Sequence, residues 1–206
     1  PATEEIQRRS EASAVTLKNG NVLVLWCDLV GRSDNARGHI AGQEFDPVGN
    51  PIGQARVVFP TPKGGLNTLS PAVRRLKDGR IGVAFSYRMS TKEASRQFSV
   101  SSDEGKTWSE PVMVSDGSDA YMTGCHDRLT VLESGRLIAA LHCSDDWDKH
   151  HLHVRVARSD DSGRTWTTTR TKLELPYVRW PNDKPHIESG CVEPGVVQRE
   201  DGTLLM

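Results

Sequence analysis

The stretch Ser101-Ser102-Asp103-Glu104-Gly105-Lys106-Thr107-Trp108 returns later in the chain as Ser159-Asp160-Asp161-Ser162-Gly163-Arg164-Thr165-Trp166. The two segments share the pattern S-x-D-x-G-x-T-W, and their tryptophans lie 58 positions apart (166 − 108). A weaker copy, Phe45–Pro51, places its Asp46 57 positions before Asp103. A fixed period of this length is the sequence signature of a repeat protein.

We call the segments 101–108 and 159–166 boxes, and we interpret the positions that they share as structural. An Asp can accept hydrogen bonds from backbone N–H groups of its own turn, and Gly supplies a positive φ. The Trp buries a large ring that pins the turn onto the sheet. The residues with these structural roles are Ser101, Asp103, Gly105, Thr107 and Trp108 in one box, and Ser159, Asp161, Gly163, Thr165 and Trp166 in the other.

A hairpin precedes each box. Two β-prone runs, 12–17 and 22–26, flank an Asn-Gly turn, which is a strong short-range hairpin signal. Similar turns recur at 77–80, 133–136 and 200–203. A second pair of strands follows, with the box as the turn between the third and fourth strands, while Ala94-Ser95 is assigned to a polar linker. The unit is therefore four strands in about 57 residues.

Four-stranded units at a fixed period predict an all-β fold made of β-propeller blades. We expect one partial propeller domain over 1–206, with blade-like repeats at about 10–60, 70–115, 125–175 and a truncated one at 190–206. An open half-propeller leaves strand edges uncovered. We therefore expect the chain to be a fragment that lacks C-terminal blades, or one that is closed by a second copy.

The composition excludes several classes of protein. Among 206 residues, 26 basic and 27 acidic side chains nearly cancel, so nothing favours nucleic acid as a partner. No apolar run approaches the ~20 residues that span a bilayer, and no signal peptide is visible. The four cysteines lack C-x-x-C spacing, so we expect buried or half-buried free thiols and neither a metal nor a cofactor.

The boxes, together with the hairpin segments Leu17–Gly20, Leu76–Arg80 and Leu132–Arg136, resemble the sialidase superfamily, whose members are six-bladed propellers with Asp-box (BNR) repeats. The resemblance covers nearly the whole chain. It implies a secreted or periplasmic glycosidase that removes terminal sialic acid or a related acidic sugar from a glycan. Boxes also occur in propellers of other function, so the residues between the blades carry more information.

Two carboxylates match catalytic positions of that family. Asp34 lies six residues before Ile40, as the family's acid/base does, and Glu193 lies eight residues before Asp201, as the general base to a tyrosine nucleophile does. The apolar flanks of Glu193 suggest partial burial, which would raise its pKa toward a useful base. The structural alternatives are a turn-forming Asp and a solvated strand-end Glu.

The arginines that hold the substrate carboxylate in sialidases are less evident. The segment that should carry Arg-Ile-Pro reads Arg8-Arg9-Ser10-Glu11-Ala12, and gapless counting places Ser10 at the arginine position. Arg9 fits only with a shift of one residue. The family's other two arginines and its tyrosine are expected beyond Met206.

Other candidates lie at blade-start loops, where propellers place their sites. His126 and Asp127 are candidates for binding sugar hydroxyls and Arg128 for binding an anion, with a strand-entry turn as the alternative; Arg88 is a weaker candidate.

The loop 144–151 is acidic and His-rich, but a solvated loop is favoured over a Ca²⁺ or Zn²⁺ site. Trp147 and Trp180 either stack on sugar rings or pack.

Three interpretations follow: a sialidase-like glycosidase, a non-catalytic propeller that binds glycans or proteins, and a propeller glycosidase with a different glycan. The first predicts that Asp34, Arg128 and Glu193 converge on one central cleft, with the boxes on the outer rim.

Overall fold

A computed structural model describes residues 3–149, 151–176 and 189–206. The described residues form β-strands and a 3₁₀ turn at Trp147–Lys149. No helix among them is long and apolar enough to cross a membrane. The strands are β1 (Arg8–Thr16), β2 (Val22–Leu29), β3 (Gly38–Phe45), β4 (Pro51–Phe59), β5 (Asn67–Arg75), β6 (Ile81–Arg88), β7 (Ala94–Ser101), β8 (Val112–Met113), β9 (Tyr121–Thr123), β10 (Leu129–Val131), β11 (Leu137–Ser144), β12 (His151–Ser159), β13 (Thr167–Thr168), β14 (Ser189–Gly190), β15 (Val197–Gln198) and β16 (Leu204–Leu205).

The strands form successive antiparallel groups. β1 to β4 pair in chain order as the first group, and β5 to β8 do the same as the second. In the third group β11 pairs with β9, β10 and β12, and β12 also pairs with β13 and β14. β15 and β16 pair with each other, and with the segment 191–196 before them they are called the fourth group. Short parallel contacts join the groups, at Gly38↔Asn67 and Ala94↔Tyr121. Within the described residues the sheet does not close on itself. The all-β, partial-propeller prediction is therefore confirmed.

Among the described residues, the two larger hydrophobic clusters lie between neighbouring groups of strands, and a smaller one of Cys27, Leu29 and Leu69 joins the first and second groups. One of the larger clusters joins Val15, Leu25 and Ile40 of the first group to Val73 and Phe85 of the second. The other joins the second and third groups and includes Ala72, Phe98, Met122, Leu141 and Ala157. Each group of strands therefore buries its apolar face against the next group, as stacked repeats require.

The hairpin predictions agree with the structure at the turns. Leu17 and Asn21 close the first turn at 2.8 Å, and Gly20 has a φ of +88°. The assignment of Ala94-Ser95 to a linker is wrong, because β7 begins at Ala94 and this residue pairs with β9. The small Ala side chain is buried at that contact, which its polar sequence neighbours do not reveal.

The boxes form the β7–β8 and β12–β13 turns, as predicted. Asp103 accepts hydrogen bonds from the Thr107 hydroxyl (2.6 Å) and amide (2.9 Å), and Ser101 Oγ accepts from the amide of Gly105 (2.8 Å). Asp161 has the same contacts with Thr165. These bonds, the Thr165 hydroxyl first, lower the pKa of Asp161 to about 2. The weaker copy behaves alike, since Asp46 accepts from the amides of Val48 and Asn50.

The tryptophan of each box packs against the preceding group of strands as well as against its own group. The Trp108 ring lies 5.5 Å from that of Phe59, and the Trp166 ring lies 5.3 Å from that of Phe98. A Cβ placed on Gly163 would overlap the Phe98 ring. The box glycine is therefore required both for its left-handed backbone and for close packing between neighbouring sheets.

Replacing Gly163 with alanine should lower the free energy of unfolding by about 2–4 kcal/mol, because strain at a φ of +89° adds to overpacking against Phe98. Gly20→Ala is the matched control, since its φ is +88° but nothing lies within 4 Å of the added Cβ. The control should lose only about 1 kcal/mol in denaturant-induced unfolding. Equal losses in the two variants would show that the contact with Phe98 contributes nothing.

Asp161→Asn should destabilise the protein at pH 7, and the deficit should shrink as the pH falls. The folded-state pKa of Asp161 is about 2, below the ordinary 3.8, so its carboxylate stabilises the fold above pH ~4 and loses that contribution between pH ~4 and ~2. Melting temperatures of both proteins at pH 7, 4 and 2.5 measure the deficit. A deficit that is the same at all three would contradict the assigned role.

Candidate functional site

A strained backbone position recurs in each group of strands. Glu11, Ser70, Asp127 and Glu193 all have left-handed backbones, with φ values of 58°, 57°, 55° and 52°. Each precedes its hairpin glycine by eight or nine residues. At Glu11 and Ser70 the strand pairing shifts register, as in a β-bulge. Such conformations are costly for non-glycine residues and concentrate at functional sites.

Four groups of strands contribute to one cavity of about 180 Å³. Asp34 and Glu193, the two predicted catalytic carboxylates, both line it, and so does Arg88. Arg128 does not. The lining residues are Glu11, Asp34, Leu69, Ser70, Ser86, Arg88, Tyr121, Thr123, Gly124, Cys125, His142, Val192 and Glu193.

Asp34 lies on the loop between β2 and β3 with 56% of its side chain exposed. Arg8 Nη1 donates a hydrogen bond to its Oδ1 at 2.6 Å. The backbone carbonyl of Asp34 accepts from Asn67 Nδ2 and from Arg88 Nη1, both at 2.7 Å. The loop is therefore anchored through its backbone, while the carboxylate stays accessible from the cavity and is ion-paired with Arg8.

Arg88 at the end of β6 is buried and orders this loop. Its Nη2 donates to Asn35 Oδ1 at 2.8 Å, in addition to the bond from Nη1 to Asp34. Its guanidinium lies 5.9 Å from the centre of the Tyr121 ring. Nε is buried and has no hydrogen-bond partner among the described residues.

Arg96, which no sequence pattern singled out, lies beneath the cavity and is fully buried. Nη1 donates to Ser70 O, Ser86 Oγ and Gly124 O at 2.8–3.1 Å, and Nη2 donates to Cys125 O at 3.2 Å. Burial lowers its pKa to about 10. Since all four acceptors belong to residues that line the cavity, Arg96 holds the cavity floor together.

Glu193 lines the cavity with an exposed side chain. The expectation of partial burial is wrong for the described residues, since Val192 is 44% and Val197 is 54% exposed. Val192 lies outside the strands and Val197 lies in the two-residue strand β15, and of the three apolar flanks Val196 alone is half-buried. The assigned role of Glu193 therefore rests on its position at the cavity.

Glu11 occupies, in the first group of strands, the position that Glu193 occupies in the fourth. It was not identified from the sequence. Its Oε2 accepts a hydrogen bond from Ser70 Oγ at 2.8 Å and lies 3.5 Å from Cys27 Sγ. Burial, followed by the charge of Glu11, raises the pKa of the Cys27 thiol. The spacing to the hairpin glycine, nine residues for both Glu11 and Glu193, is the signal that links the two.

The remaining cavity wall is neutral. The rings of His142 and Tyr121 are stacked, with their centroids 6.2 Å apart. Burial, followed by the charges of Arg96 and Arg88, lowers the pKa of His142 to about 4. The Trp147 ring packs at 4.0 Å on Tyr121, so the structure places this tryptophan in a packing contact. Trp180 lies outside the described residues.

The Asp127 carboxylate is occupied by side chains of this chain and is not left open to a ligand. Its Oδ1 accepts from Ser13 Oγ at 2.7 Å and from Arg74 Nη1 at 2.5 Å. Burial acts to raise the Asp127 pKa, but the bonds from Arg74 and Ser13 outweigh it and hold the pKa below its ordinary range. Asp127 thus ties three groups of strands together.

The other sequence candidates lie off the cavity. His126 Nδ1 is 3.5 Å from Cys125 Sγ, and Arg128 is exposed with its side chain against Gly195. Arg9 Nε donates to Asp28 Oδ1 at 3.0 Å and lines a separate groove.

Asp127→Ala should lower the free energy of unfolding by about 1–2 kcal/mol, because Arg74 and Ser13 lose a partly exposed partner. Arg74→Met and the double variant complete a double-mutant cycle in denaturant-induced unfolding. A coupling of about 1 kcal/mol is expected. Additive losses would mean that the ion pair contributes nothing.

Charged groups of the loop 144–151 are paired with neighbours: Asp145 with Lys172 at 2.5 Å and Asp148 with Lys92 at 2.6 Å. All four cysteines are free, and Cys27, Cys125 and Cys143 are buried, as predicted.

One buried group among the described residues has ligand atoms close enough for a metal: Asp119, Cys143 and His153, within 4.8 Å of one another. Arg155 Nε lies 3.5 Å and Lys172 Nζ 4.0 Å from the Asp119 carboxylate, so cations of the protein already compensate its charge.

Comparison with known proteins places the chain among Asp-box propellers. The profile of the BNR repeat-like domain family matches residues 42–206. A search of curated proteins gives no match.

Solved structures share the fold at low sequence identity. A Hadza microbial sialidase is 18% identical over 83% of this chain and 39% of its own, with a TM-score of 0.66. A protein of unknown function from Dyadobacter fermentans is 15% identical over 98% of this chain and 62% of its own, with a TM-score of 0.72. The sialidase of Trypanosoma rangeli in complex with sialic acid is 15% identical over 97% of this chain and 33% of its own, with a TM-score of 0.70. The chain thus spans 33–62% of the length of these proteins. Because the family profile matches most of the chain, the chain belongs to the BNR repeat-like domain family.

Proposed function

We propose that this chain carries catalytic residues of a glycoside hydrolase built on a sialidase-type propeller. One observation supports this above the others: Asp34 and Glu193, from the first and fourth groups of strands, line the same cavity. Most glycoside hydrolases use a pair of carboxylates in the active site for catalysis.

In this proposal Asp34 protonates the leaving glycosidic oxygen and later activates water. Two features support this role: the Asp34 side chain is exposed, and its loop is anchored by the hydrogen bond from Arg88. Glu193 acts as the general base to a tyrosine nucleophile, the scheme that makes sialidases an exception among glycosidases. The identity of that tyrosine is left open.

The resemblance favours terminal sialic acid or a related acidic sugar as the substrate, and the solved sialidases with bound sialic acid and with the inhibitor DANA support a carbohydrate ligand. A second candidate function is a non-catalytic propeller that binds glycans or proteins. It is favoured by the segment Arg8–Ala12, because the counted arginine position is Ser10 and Arg9 pairs with Asp28.

Hydrolysis of fluorogenic glycosides by the intact protein separates these functions. The set should include a sialoside, a glucuronide, and neutral hexosides, 6-deoxyhexosides and N-acetylhexosaminides. Turnover of at least one that is lost in Glu193→Gln is expected. No turnover of any, with an intact fold and measurable glycan binding, would establish the binding function instead.

A further inference from the structure

We propose that Arg8 exchanges partners when an acidic sugar enters the cavity: it leaves the Asp34 carboxylate and binds the carboxylate of the sugar. One exchange thus recognises the substrate and frees the residue that donates the proton. This inference rests on the proposed function, because it names the residue that selects an acidic sugar at the same site.

Arg8, the first residue of β1, lies at the edge of the cavity. Its Nη1 donates to Asp34 Oδ1 at 2.6 Å, and Asp34 is part of the cavity wall. The charge of Arg8 also acts behind the wall: burial and then the charge of Glu11 raise the pKa of the Cys27 thiol, whereas Arg8 lowers it. The guanidinium is therefore near the wall while it is held by one carboxylate of it.

The register of β1 on β2 shows which arginine faces the cavity. Arg8 lies opposite Leu29, and the side chains of such opposed residues share one face of a sheet. Leu29 is fully buried in a cluster with Leu69 of the second group of strands. Arg9, the next residue, points to the other face, where it binds Asp28. Arg8 therefore faces the second group and the cavity, and Arg9 does not.

Arg8 also reaches the position that counting assigned to Ser10. The two residues are paired regularly with β2, so they share one face of β1 and lie about 6.6 Å apart along the strand. The long, flexible side chain of an arginine covers that distance. Arg8 can therefore supply the guanidinium that Ser10 lacks.

The Arg8 guanidinium retains donors for a ligand. Its described hydrogen bonds both come from Nη1, to Asp34 Oδ1 and, at 3.3 Å, to Arg32 O. Nε and Nη2 have no partner among the described residues, and 32% of the side chain is exposed. A guanidinium binds a carboxylate through two parallel N–H···O bonds, and Nε with Nη2 can form such a pair.

The present partner of Arg8 is easily displaced. The Asp34 side chain is 56% exposed, and ion pairs between exposed groups contribute little because water screens them. A bidentate pair with a ligand carboxylate inside the cavity is stronger than the single bond to Oδ1. A neutral glycan has no group that could draw Arg8 away, so the exchange selects an acidic sugar.

The exchange leaves Asp34 in place. Its backbone carbonyl is held by Asn67 and Arg88 independently of Arg8. An ion pair needs the ionised carboxylate, whereas protonation of the leaving oxygen needs a proton on that group. Once Arg8 has moved to the sugar, Asp34 can take a proton from water and deliver it to the glycosidic oxygen.

The test compares the binding of DANA and of its methyl ester, which lacks the negative charge, to the intact protein by calorimetry. The variants are Arg8→Met and Arg8→Lys, of which the lysine keeps the charge but not the fork of donors. Arg9→Met is the matched control, since it removes the same charge from the other face of β1. A double variant combines Arg8→Met with Asp34→Asn. Melting temperatures verify that each variant is folded.

Wild type should bind DANA at least about tenfold more tightly than the ester. Arg8→Met should narrow that ratio by about tenfold and Arg8→Lys by less, while Arg9→Met should leave it unchanged. The ratio should stay narrow in the double variant. A ratio restored there would overturn the inference, because Arg8 would then only neutralise Asp34. A wild type that does not prefer DANA, or an unchanged ratio in Arg8→Met, would overturn it as well.

A crystal structure of the intact protein with DANA shows the exchange itself. Arg8 should lie within about 3 Å of the DANA carboxylate and no longer bind Asp34; an Arg8 that stays on Asp34 would contradict the exchange. Sialoside turnover that depends on Glu193, with a ratio that does not depend on Arg8, would leave the proposed hydrolase standing and overturn this inference. A ratio that depends on Arg8, without turnover of any glycoside, would refute the hydrolase and leave recognition by Arg8 standing.

Discussion

Replacing Arg96 with alanine should lower the free energy of unfolding by about 3–5 kcal/mol or prevent folding at ordinary temperatures. The guanidinium is fully buried and is the donor to Ser70 O, Ser86 Oγ, Gly124 O and Cys125 O. Its removal leaves buried carbonyls without partners and a void under the cavity. Chemical denaturation of the intact protein measures the loss.

Arg170→Ala is the matched control, because that arginine is exposed, and it should change stability by no more than about 0.5 kcal/mol. Arg96→Lys keeps the charge but not the forked donors, so it should fall between wild type and alanine. If Arg96→Ala unfolds like the control, the proposed floor of the cavity has no energetic role.

Glu193→Gln should reduce kcat/KM for the best glycoside by about 10²–10⁴-fold, since it removes the general base while preserving shape. Melting temperature should barely change, because the side chain is exposed and has no described partner. Glu200→Gln, a matched change outside the cavity, should retain wild-type turnover. Retained turnover in Glu193→Gln would remove Glu193 from the catalytic residues.

Asp34→Asn gives an independent readout of the same reaction. A general acid assists departure of the leaving group, so the loss of kcat/KM should be small for activated aryl glycosides and should grow toward 10²–10⁴-fold for alkyl glycosides. Arg8→Met should show no such dependence, although it frees the Asp34 carboxylate from its ion pair. A uniform loss across leaving groups in Asp34→Asn would assign Asp34 a binding role instead of proton transfer.

The repeat made the fold predictable. Turn glycines such as Gly79 and the box residues Asp103 and Asp161 act within a few positions of the chain, so their roles follow from local sequence. That Trp108 and Trp166 pack on the preceding sheet depends on contacts between repeats, which local patterns do not specify.

The candidate site was predictable only in part for the same reason. Asp34 and Glu193 came from the resemblance, and the structure places both at one cavity. Arg96 was missed although it shares the parity of the apolar Ala94 and Phe98 in β7, because a sequence pattern does not show which carbonyls are near enough to satisfy a buried guanidinium. Asp127 was assigned to sugar binding, but its partner Arg74 lies 53 positions away in sequence.

A crystal structure of the intact Glu193→Gln protein, soaked with its best glycoside, is the most direct test of the central claim. The account predicts a sugar in the cavity beside Arg88, with the glycosidic oxygen within about 3 Å of the Asp34 carboxylate. A sugar bound elsewhere, or in the cavity but out of reach of Asp34, would contradict it.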